Sequence, residues 1–171
     1  MNIYLKNGFR FVVLLLLQIF VFDGFSLYGF LIPYVYVAFI LFLPFGISKS
    51  RLLLLGFFTG IIIDIFGNTL GLHAAATTLL AFARPGIINF FFGKMEFHEN
   101  EQPGIAKLKF QGFLKYSVLL VFLHHFALIF LEVFSFRDIV ARLEQVVLNT
   151  VYTVFVIFII ALLFPGKRNR Y

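Results

Sequence analysis

The chain has 171 residues, of which 61% are hydrophobic and 13% are charged, and its mean hydropathy is +1.00. Soluble domains are roughly 45–50% apolar and about 25% charged, so this composition excludes a disordered chain and argues against a soluble enzyme; the lack of cysteine excludes a disulfide scaffold. The net charge of +6 does not indicate nucleic-acid binding, because the basic residues lie in short clusters between apolar runs, as in the cytoplasmic loops of membrane proteins.

Apolar runs long enough to cross a bilayer recur along the whole chain. A transmembrane helix needs about 20 predominantly apolar residues, and roughly 17–25 is usual. The runs predict an all-α integral membrane protein that forms a single domain over residues 1–171. The first run follows basic residues, as in a signal peptide, but no small-residue cleavage site follows it, so we expect it to be retained. The six predicted spans lie at about 9–27, 30–45, 52–66, 70–92, 113–134 and 146–164.

The basic residues predict the orientation of these spans. If the N-terminus lies in the cytoplasm and the six spans alternate, Arg137 and Arg142 fall outside and Arg84 falls within a span. Because cytoplasmic loops carry an excess of Lys and Arg, this distribution predicts that both termini are cytoplasmic. The basic residues that fall inside are Lys6, Arg10, Lys49, Arg51, Lys94, Lys107, Lys109, Lys115, Lys167, Arg168 and Arg170.

Residues 136–149 are less apolar than the spans, and their apolar and charged side chains recur at helical spacing. Asp138 and Arg142 form a pair of favourable polarity four positions apart. The pattern predicts an amphipathic helix that lies on the outer surface and turns into the last span. Two interpretations stay open here: a simple entry into that span, or a segment that binds a partner.

The loops are too short for a soluble catalytic domain. The longest polar stretch is 93–112, and Pro103 and Gly104 interrupt it. The sequence contains no Walker loop, no dinucleotide-binding glycine fingerprint and no HExxH zinc motif. An intramembrane enzyme would need a nucleophile and base, or metal ligands, at matching depth, and no such pair is visible. We therefore expect no catalytic residue, no metal site and no cofactor.

Two consecutive spans carry small residues on matching faces. Gly56, Gly60 and Asp64 are spaced four apart and share one face of the third span. In the fourth span, small and polar residues recur at spacings of three and four, which lets two helix backbones approach closely. Contributors to this stripe are Ala74, Thr77, Ala81 and Arg84. Close helix packing is predicted at Gly56, Gly60, Gly71, Ala74 and Ala81.

Ionisable side chains inside a span are costly, so each needs a partner. Counted at about 1.5 Å per residue from Arg51 and Lys94, Asp64 and Arg84 lie roughly 20 Å and 15 Å deep. We therefore predict an Asp64–Arg84 ion pair that joins the third and fourth spans. The pair would act as a structural lock, or as a polar contact for a partner or cavity. Pro85 removes a backbone hydrogen bond and predicts a kink in the fourth span.

Three histidines and one glutamate also lie in the spans. His73 begins the fourth span, where a bond to a turn carbonyl is the expected role, and a ligand or proton carrier is the alternative. His124 and His125 are adjacent and point about 100° apart, so they do not chelate a metal at the usual spacing of four. At least one should face protein and bond Asp64, a tyrosine or a backbone carbonyl; a proton relay stays open. Glu132 can reach the interface.

The loop and helix ends between the third and fourth spans resemble a known family. Residues 60–76, GIIIDIFGNTLGLHAAA, followed by residues 82–85, FARP, are similar to the rod shape-determining protein family MreD, in particular to its Bacteroidetes-type members. The short length and the six Phe- and Leu-rich spans fit the same family, so the resemblance covers nearly the whole chain. Its polar signature positions are Asn68, His73 and Pro85.

The resemblance implies a non-enzymatic subunit of the machinery that elongates the lateral cell wall, in the bacterial inner (plasma) membrane. Members of that family bind the bitopic protein MreC, and through it they connect MreB filaments to RodA and a class B penicillin-binding protein. The expected role is to help organise peptidoglycan synthesis along the cell body. The family's spans are similar to the substrate-binding subunit of energy-coupling-factor transporters, which also has six helices.

The alternative function is that of such a substrate-binding subunit for a vitamin. Those subunits dock their coupling partner through an Ala-x-x-x-Ala pattern in the first span, and residues 9–27 contain no alanine. Few polar side chains are expected to converge at the outer end of the spans. Asp64, Asn68, His73 and Glu132 are the residues that could line a small vitamin site there.

Overall fold

The computed structural model of the chain describes residues 3–24, 31–133 and 138–163, and within these ranges every regular element is helical. Among the described residues, five elements are long and apolar enough to cross a membrane. They lie at Leu5–Phe22, which ends in a π-helical turn at Gln18–Phe22, and at Lys49–Gly67, Leu72–Phe92, Ile105–Glu132 and Ile139–Leu163. These helices establish a multi-pass helical membrane protein. The helices are α1 Ile3–Leu17, α2 Val37–Leu41, α3 Lys49–Gly67, α4 Leu72–Phe92, α5 Ile105–Val133 and α6 Ile139–Leu163.

Four predicted spans correspond to single helices of the structure, and α1 with its π-helical turn covers most of the first. The prediction 52–66 corresponds to α3 and 70–92 to α4. Helix α5 begins at Ile105, earlier than the predicted 113. Its first residues are separated from the rest of the helix by a break at Lys109, where φ is 59° and ψ is 170°. The N-terminal span begins at Leu5 rather than at residue 9 and reaches Phe22; the end predicted at residue 27 lies outside the described residues.

The second predicted span, 30–45, is wrong as a continuous helix. Only α2 is helical there, five residues long, and the backbone on both sides of it is irregular. Pro33 precedes α2 and Pro44 follows it, and a proline has no N–H to give to a helix. The side chains from Val35 to Leu43 are nevertheless at most 6% exposed. Its apolar composition reflects burial among other helices rather than a lipid-facing helix. We call residues 31–46 the central segment.

The amphipathic stretch 136–149 is the first part of α6, not a separate surface helix. Residues 136 and 137 lie outside the described ranges, and from Ile139 the helix runs to Leu163 without a break in its dihedral angles. Asp138 precedes it with φ 54°, and its carbonyl accepts the Arg142 N–H at 3.1 Å. The apolar and polar faces of this stretch therefore belong to the outer turns of one long helix, which favours the entry-into-span interpretation.

The long helices pack in chain order. Helix α3 packs on α4, α4 on α5, and α5 on α6, while α1 lies beside α2. We call the end where α3 finishes and α4 starts the outer end, and the opposite end the inner end, following the predicted orientation. The central segment enters the main apolar core through Tyr36 to Leu43. Its surroundings are therefore protein side chains, a requirement for irregular backbone at membrane depth.

Candidate functional site: polar side chains around the central segment

The irregular backbone of the central segment needs hydrogen-bond partners that a helix would not need. Each unsatisfied backbone group in an apolar environment costs several kcal/mol, by an order-of-magnitude rule. A five-residue helix such as α2 leaves most of its carbonyls and N–H groups without an intrahelical partner. The side chains that supply these partners come from α1, α4, α5 and α6, and they form the polar interior of the protein.

At the outer side of α2, two side chains of α6 accept backbone N–H groups. The N–H of Ile32 donates to Asn149 Oδ1 at 3.0 Å, and the N–H of Tyr34 donates to Thr153 Oγ1 at 3.1 Å. Asn149 is 2% exposed and Thr153 is fully buried. These two contacts fix the position of the irregular backbone that leads into α2, at a sequence separation of more than one hundred residues.

At the inner side of α2, three consecutive carbonyls accept bonds from cationic and phenolic groups. Tyr116 Oη donates to the Leu41 carbonyl at 2.9 Å, Arg10 Nη1 to that of Phe42 at 3.3 Å, and Arg84 Nη2 to that of Leu43. The carbonyl end of a helix carries partial negative charge, which cations stabilise. Arg84 Nε also donates to Tyr116 Oη at 2.9 Å. Arg84 and Tyr116 thus form one unit that holds the segment.

A loop at the inner end completes the attachment. The N–H groups of Phe45 and Gly46 donate to the carbonyls of Glu101 and Glu99, at 2.9 Å and 3.0 Å. Lys107 Nζ lies 2.7 Å from the Glu101 carboxylate, and its hydrogen bond lowers the pKa of that carboxyl group. The rings of Phe45 and Phe97 stack with centroids 3.9 Å apart. The inner end of the central segment is therefore bonded to the loop that joins α4 to α5.

Three histidines and Tyr36 form a buried hydrogen-bonded chain at the outer side. Tyr36 Oη lies 2.9 Å from His73 Nδ1 and 2.7 Å from His124 Nε2. His124 Nδ1 lies 3.4 Å from His125 Nδ1, and His125 Nε2 lies 3.0 Å from Thr153 Oγ1. Which nitrogen carries each proton depends on the tautomers. This chain of hydrogen bonds links α4, the central segment, α5 and α6.

These contacts decide the histidine predictions. His124 bonds a tyrosine, which confirms that at least one of the adjacent pair faces protein. The turn-carbonyl role expected for His73 is wrong: its ring bonds the Tyr36 hydroxyl and the residue is 7% exposed. The reason is that the first turn of α4 packs against the central segment rather than against the interface. In the described part of the chain, no group of three His, Asp or Glu side chains is arranged to hold a metal ion.

The predicted Asp64–Arg84 ion pair is not formed. The Asp64 carboxylate accepts the hydroxyl of Thr69 at 2.5 Å and the N–H groups of His73 and Ala74 at 3.0 Å and 2.8 Å. It therefore caps the start of α4, where orphan N–H groups and the helix dipole favour an anion. Arg84 lies ten residues further along α4, about 15 Å away at 1.5 Å per residue. The depths estimated from the sequence, each counted from a different inner loop, placed the two side chains at a similar level and so underestimated this distance.

The close packing of α3 and α4 is confirmed at two glycines. A Cβ on Gly60 would lie 2.5 Å from the backbone N of Ala74, and one on Gly56 would lie 2.8 Å from Ala81 Cβ. Any side chain at these positions would push the helices apart. Gly71, however, has open space around it and φ +84°. It allows the left-handed turn that starts α4, so its predicted role in packing is wrong.

The remaining signature residues lie at helix ends and within α4. Asn68 ends α3 in the left-handed conformation, with φ 52°, which asparagine tolerates better than most residues. Pro85 lies inside α4, and the helix continues through it to Phe92. Glu132 is exposed near the end of α5, as expected for a residue that reaches the interface. Asn68 and Glu132 are exposed and do not join the buried polar groups.

Sequence analysis missed four of the residues that matter most: Tyr36, Tyr116, Asn149 and Thr153. Each lies within one of the predicted apolar spans. Polar residues inside apolar spans were the available signal, since such groups are buried only with partners. Their partners are backbone groups of a segment whose hydropathy predicts a continuous helix. The sequence therefore could not show which groups these polar side chains bind.

A cavity of about 440 Å³ opens at the inner end, between the start of α3 and the end of α4. Its walls are mainly apolar, with contributions from the central segment and from the loop after α4. Among its polar lining residues are Lys49, Arg84, Asn89 and Glu99. Its volume falls within the range of small-molecule sites, roughly 300–1,000 Å³.

Comparison of the chain with protein-family models, with curated proteins and with solved structures found no match.

Proposed function

We propose that this protein is a non-enzymatic subunit of the bacterial cell-elongation complex in the inner membrane, of the MreD type, and that it binds MreC. The supporting observation is the role of the residues that carry the resemblance. Gly60 allows the contact with α4, Asp64 caps α4, and Arg84 holds the central segment. One short stretch of sequence thus specifies the contact between α3 and α4, which we call the α3–α4 hairpin, and one contact of the central segment.

In this proposal the central segment is the second of six membrane crossings. Tyr36 contacts His73 at the outer end of α4, and Gly46 bonds Glu99 in the inner loop. Five helices alone would leave the termini on opposite sides. A sixth, irregular crossing returns both termini to the cytoplasm, where the basic residues favour them. The similarity expected to the substrate-binding subunit of energy-coupling-factor transporters is part of this proposal.

Most side chains of the polar interior are bonded to other groups of the protein, so protein partners would bind the apolar faces. On α1, exposed side chains recur at spacings of three and four along one face, among them Phe9, Val12 and Leu16. On α6, Val151 and Phe155 are exposed in the same way. Association of helices in lipid depends on packing of such faces. Through MreC, the subunit would connect to RodA, a class B penicillin-binding protein and MreB, and so help organise peptidoglycan synthesis.

The proposal is tested by a mild-detergent pull-down of the tagged protein from its native membrane, with mass spectrometry of the proteins that copurify. We expect an MreC-like bitopic protein and wall-synthesis enzymes. Their recovery should fall for a Val12→Asn variant on the exposed face of α1, with Val118→Asn on the exposed face of α5 as the matched control. Recovery of paired ATPases with a transmembrane coupling subunit would overturn the proposal in favour of vitamin uptake.

A further inference from the structure

The inner cavity is lined by a buried cation, Arg84, that has no counter-ion among the described residues. Arg84 lines the cavity and is 1% exposed. Among the described residues, the one salt bridge joins Lys107 to Glu101, so no carboxylate lies within 4.0 Å of the Arg84 guanidinium. A buried charge is usually paired, because removing it from water is costly. The Tyr116 hydroxyl and the Leu43 carbonyl solvate the guanidinium but do not neutralise it.

The guanidinium of Arg84 also has N–H donors that are not used in hydrogen bonds to the described residues. Its Nε and Nη2 donate to Tyr116 and Leu43. No partner for Nη1 is found in the described ranges of the chain, yet none of the nitrogens of Arg84 belongs to the buried atoms that lack a hydrogen bond. Nη1 is therefore not completely enclosed by protein, and Arg84 is one of the residues that line the cavity. A guanidinium nitrogen directed at an open site is a strong donor to phosphate or carboxylate oxygens.

The rest of the lining limits the kind of anion. Lys49, an exposed residue at the start of α3, supplies a second cation. Phe45, Ile88 and Phe92 give the cavity apolar walls. Among the described lining residues, Glu99 is the one acidic side chain, and it is exposed. A small, fully hydrated anion would gain nothing from the apolar walls, whereas a lipid places an anionic head next to apolar chains.

We propose that the inner cavity binds the phosphate group of an anionic phospholipid, with Arg84 and Lys49 on the phosphate and an acyl chain against Phe45, Ile88 and Phe92. The lipid comes from the leaflet at the inner end, which is the cytoplasmic leaflet in the predicted orientation. Two cations and one exposed carboxylate favour a head group with net negative charge over a zwitterionic one. This site is independent of the partner proposed above.

The test is native mass spectrometry of the full chain in detergent, titrated with dioleoyl phosphatidylglycerol or with dioleoyl phosphatidylcholine. The expected result is preferential retention of the anionic lipid. Removing one cation near a lipid surface should weaken binding of the anionic lipid by about fivefold. We therefore expect a loss of binding of about fivefold for Lys49→Gln. Lys115→Gln, an exposed lysine outside the cavity, is the matched control and should leave retention unchanged.

Arg84 also holds the central segment, so loss of binding in Arg84→Gln could reflect loss of folding. Ile88→Trp, which reduces the space in the cavity and leaves both cations in place, separates these causes and should reduce retention in a folded protein. Equal retention of the two lipids, or unchanged retention in both Lys49→Gln and Ile88→Trp, would overturn the proposal. Displacement of the lipid by inorganic phosphate alone would also overturn it, because the site would then recognise a free anion.

Discussion

The α3–α4 hairpin and the central segment are both apolar, and each makes a close contact inside the protein, but they are stabilised in different ways. In the hairpin, two regular helices meet backbone to backbone, because Gly56 and Gly60 present no side chain. In the central segment, side chains of four other helices bond an irregular backbone. The comparison teaches that hydropathy does not distinguish a lipid-facing helix from a segment buried in protein, whereas polar residues in neighbouring spans indicate where the buried backbone is not helical.

The largest expected effect comes from breaking the attachment of the central segment at its inner side. Arg84→Leu leaves the Leu43 carbonyl and the Tyr116 hydroxyl without their cationic donor. Each buried group left unsatisfied costs about 1–3 kcal/mol, so we expect the free energy of unfolding to fall by about 3 kcal/mol. Denaturant unfolding in micelles measures this. Arg51→Leu, at an exposed position, is the control, and an equal effect of the two changes would contradict the assigned role.

A smaller loss of stability is expected when the contact between α3 and α4 is changed. Gly60→Ala places a methyl group against the backbone of Ala74 and His73, and overpacking of this kind costs about 1–3 kcal/mol. Gly86→Ala in α4 meets no atom within 4 Å and should leave stability unchanged or slightly higher. The same unfolding assay compares the two. If Gly60→Ala were as well tolerated as Gly86→Ala, the helices would not be in direct backbone contact.

Much of the hairpin could be predicted from sequence and much of the central segment could not, for physical reasons. Glycines four residues apart indicate a close helix contact by themselves, because the spacing and the missing side chain are both local. The irregularity of the central segment depends on Asn149 and Thr153, more than one hundred residues away. Pro33 and Pro44 stand at its ends, where proline is also compatible with a regular helix that starts and stops there.

The same distinction explains the ion pair that is not formed. Asp64 and Arg84 are the expected type of pair for two neighbouring spans, and opposite charges in a membrane favour each other. Asp64 instead satisfies the N–H groups at the start of α4, and Arg84 satisfies a carbonyl of the central segment. In both cases the competing partner was a backbone group, which hydropathy and charge patterns do not show.

The free energy of unfolding should fall by about 1 kcal/mol when a contact at the outer side of the central segment is removed. Thr153→Val keeps the side-chain shape but removes the oxygen that accepts the Tyr34 N–H and contacts His125. Measured hydrogen bonds inside membrane proteins average about 0.6 kcal/mol, and two contacts are lost here. Thr78→Val is the matched control, since Thr78 bonds only the Ala74 carbonyl of its own helix. Unfolding free energies that do not differ between the two would contradict the assignment of Thr153.

The smallest effect concerns the inner loop. Lys107 lowers the pKa of Glu101 in the folded protein, so this pair stabilises the fold above the ordinary pKa of a glutamate, and the stabilisation is lost as pH falls through the lowered value. Partly exposed pairs contribute about 0.2–1 kcal/mol. Glu101→Gln should remove this part of the acid sensitivity, and high salt should reduce the difference from the parent. A pH profile of unfolding that Glu101→Gln does not alter would exclude the contribution.

The central claim is that the central segment crosses the membrane although it is not a continuous helix. The chain has no cysteine, so single cysteines can be placed without removing others. Gly24→Cys and Ser48→Cys lie at exposed positions before and after the segment, and a membrane-impermeant maleimide applied to intact and to opened cells reports the side of each. The account predicts labelling of position 24 from outside and of position 48 only from the cytoplasm. Labelling of both positions from the same side would contradict it.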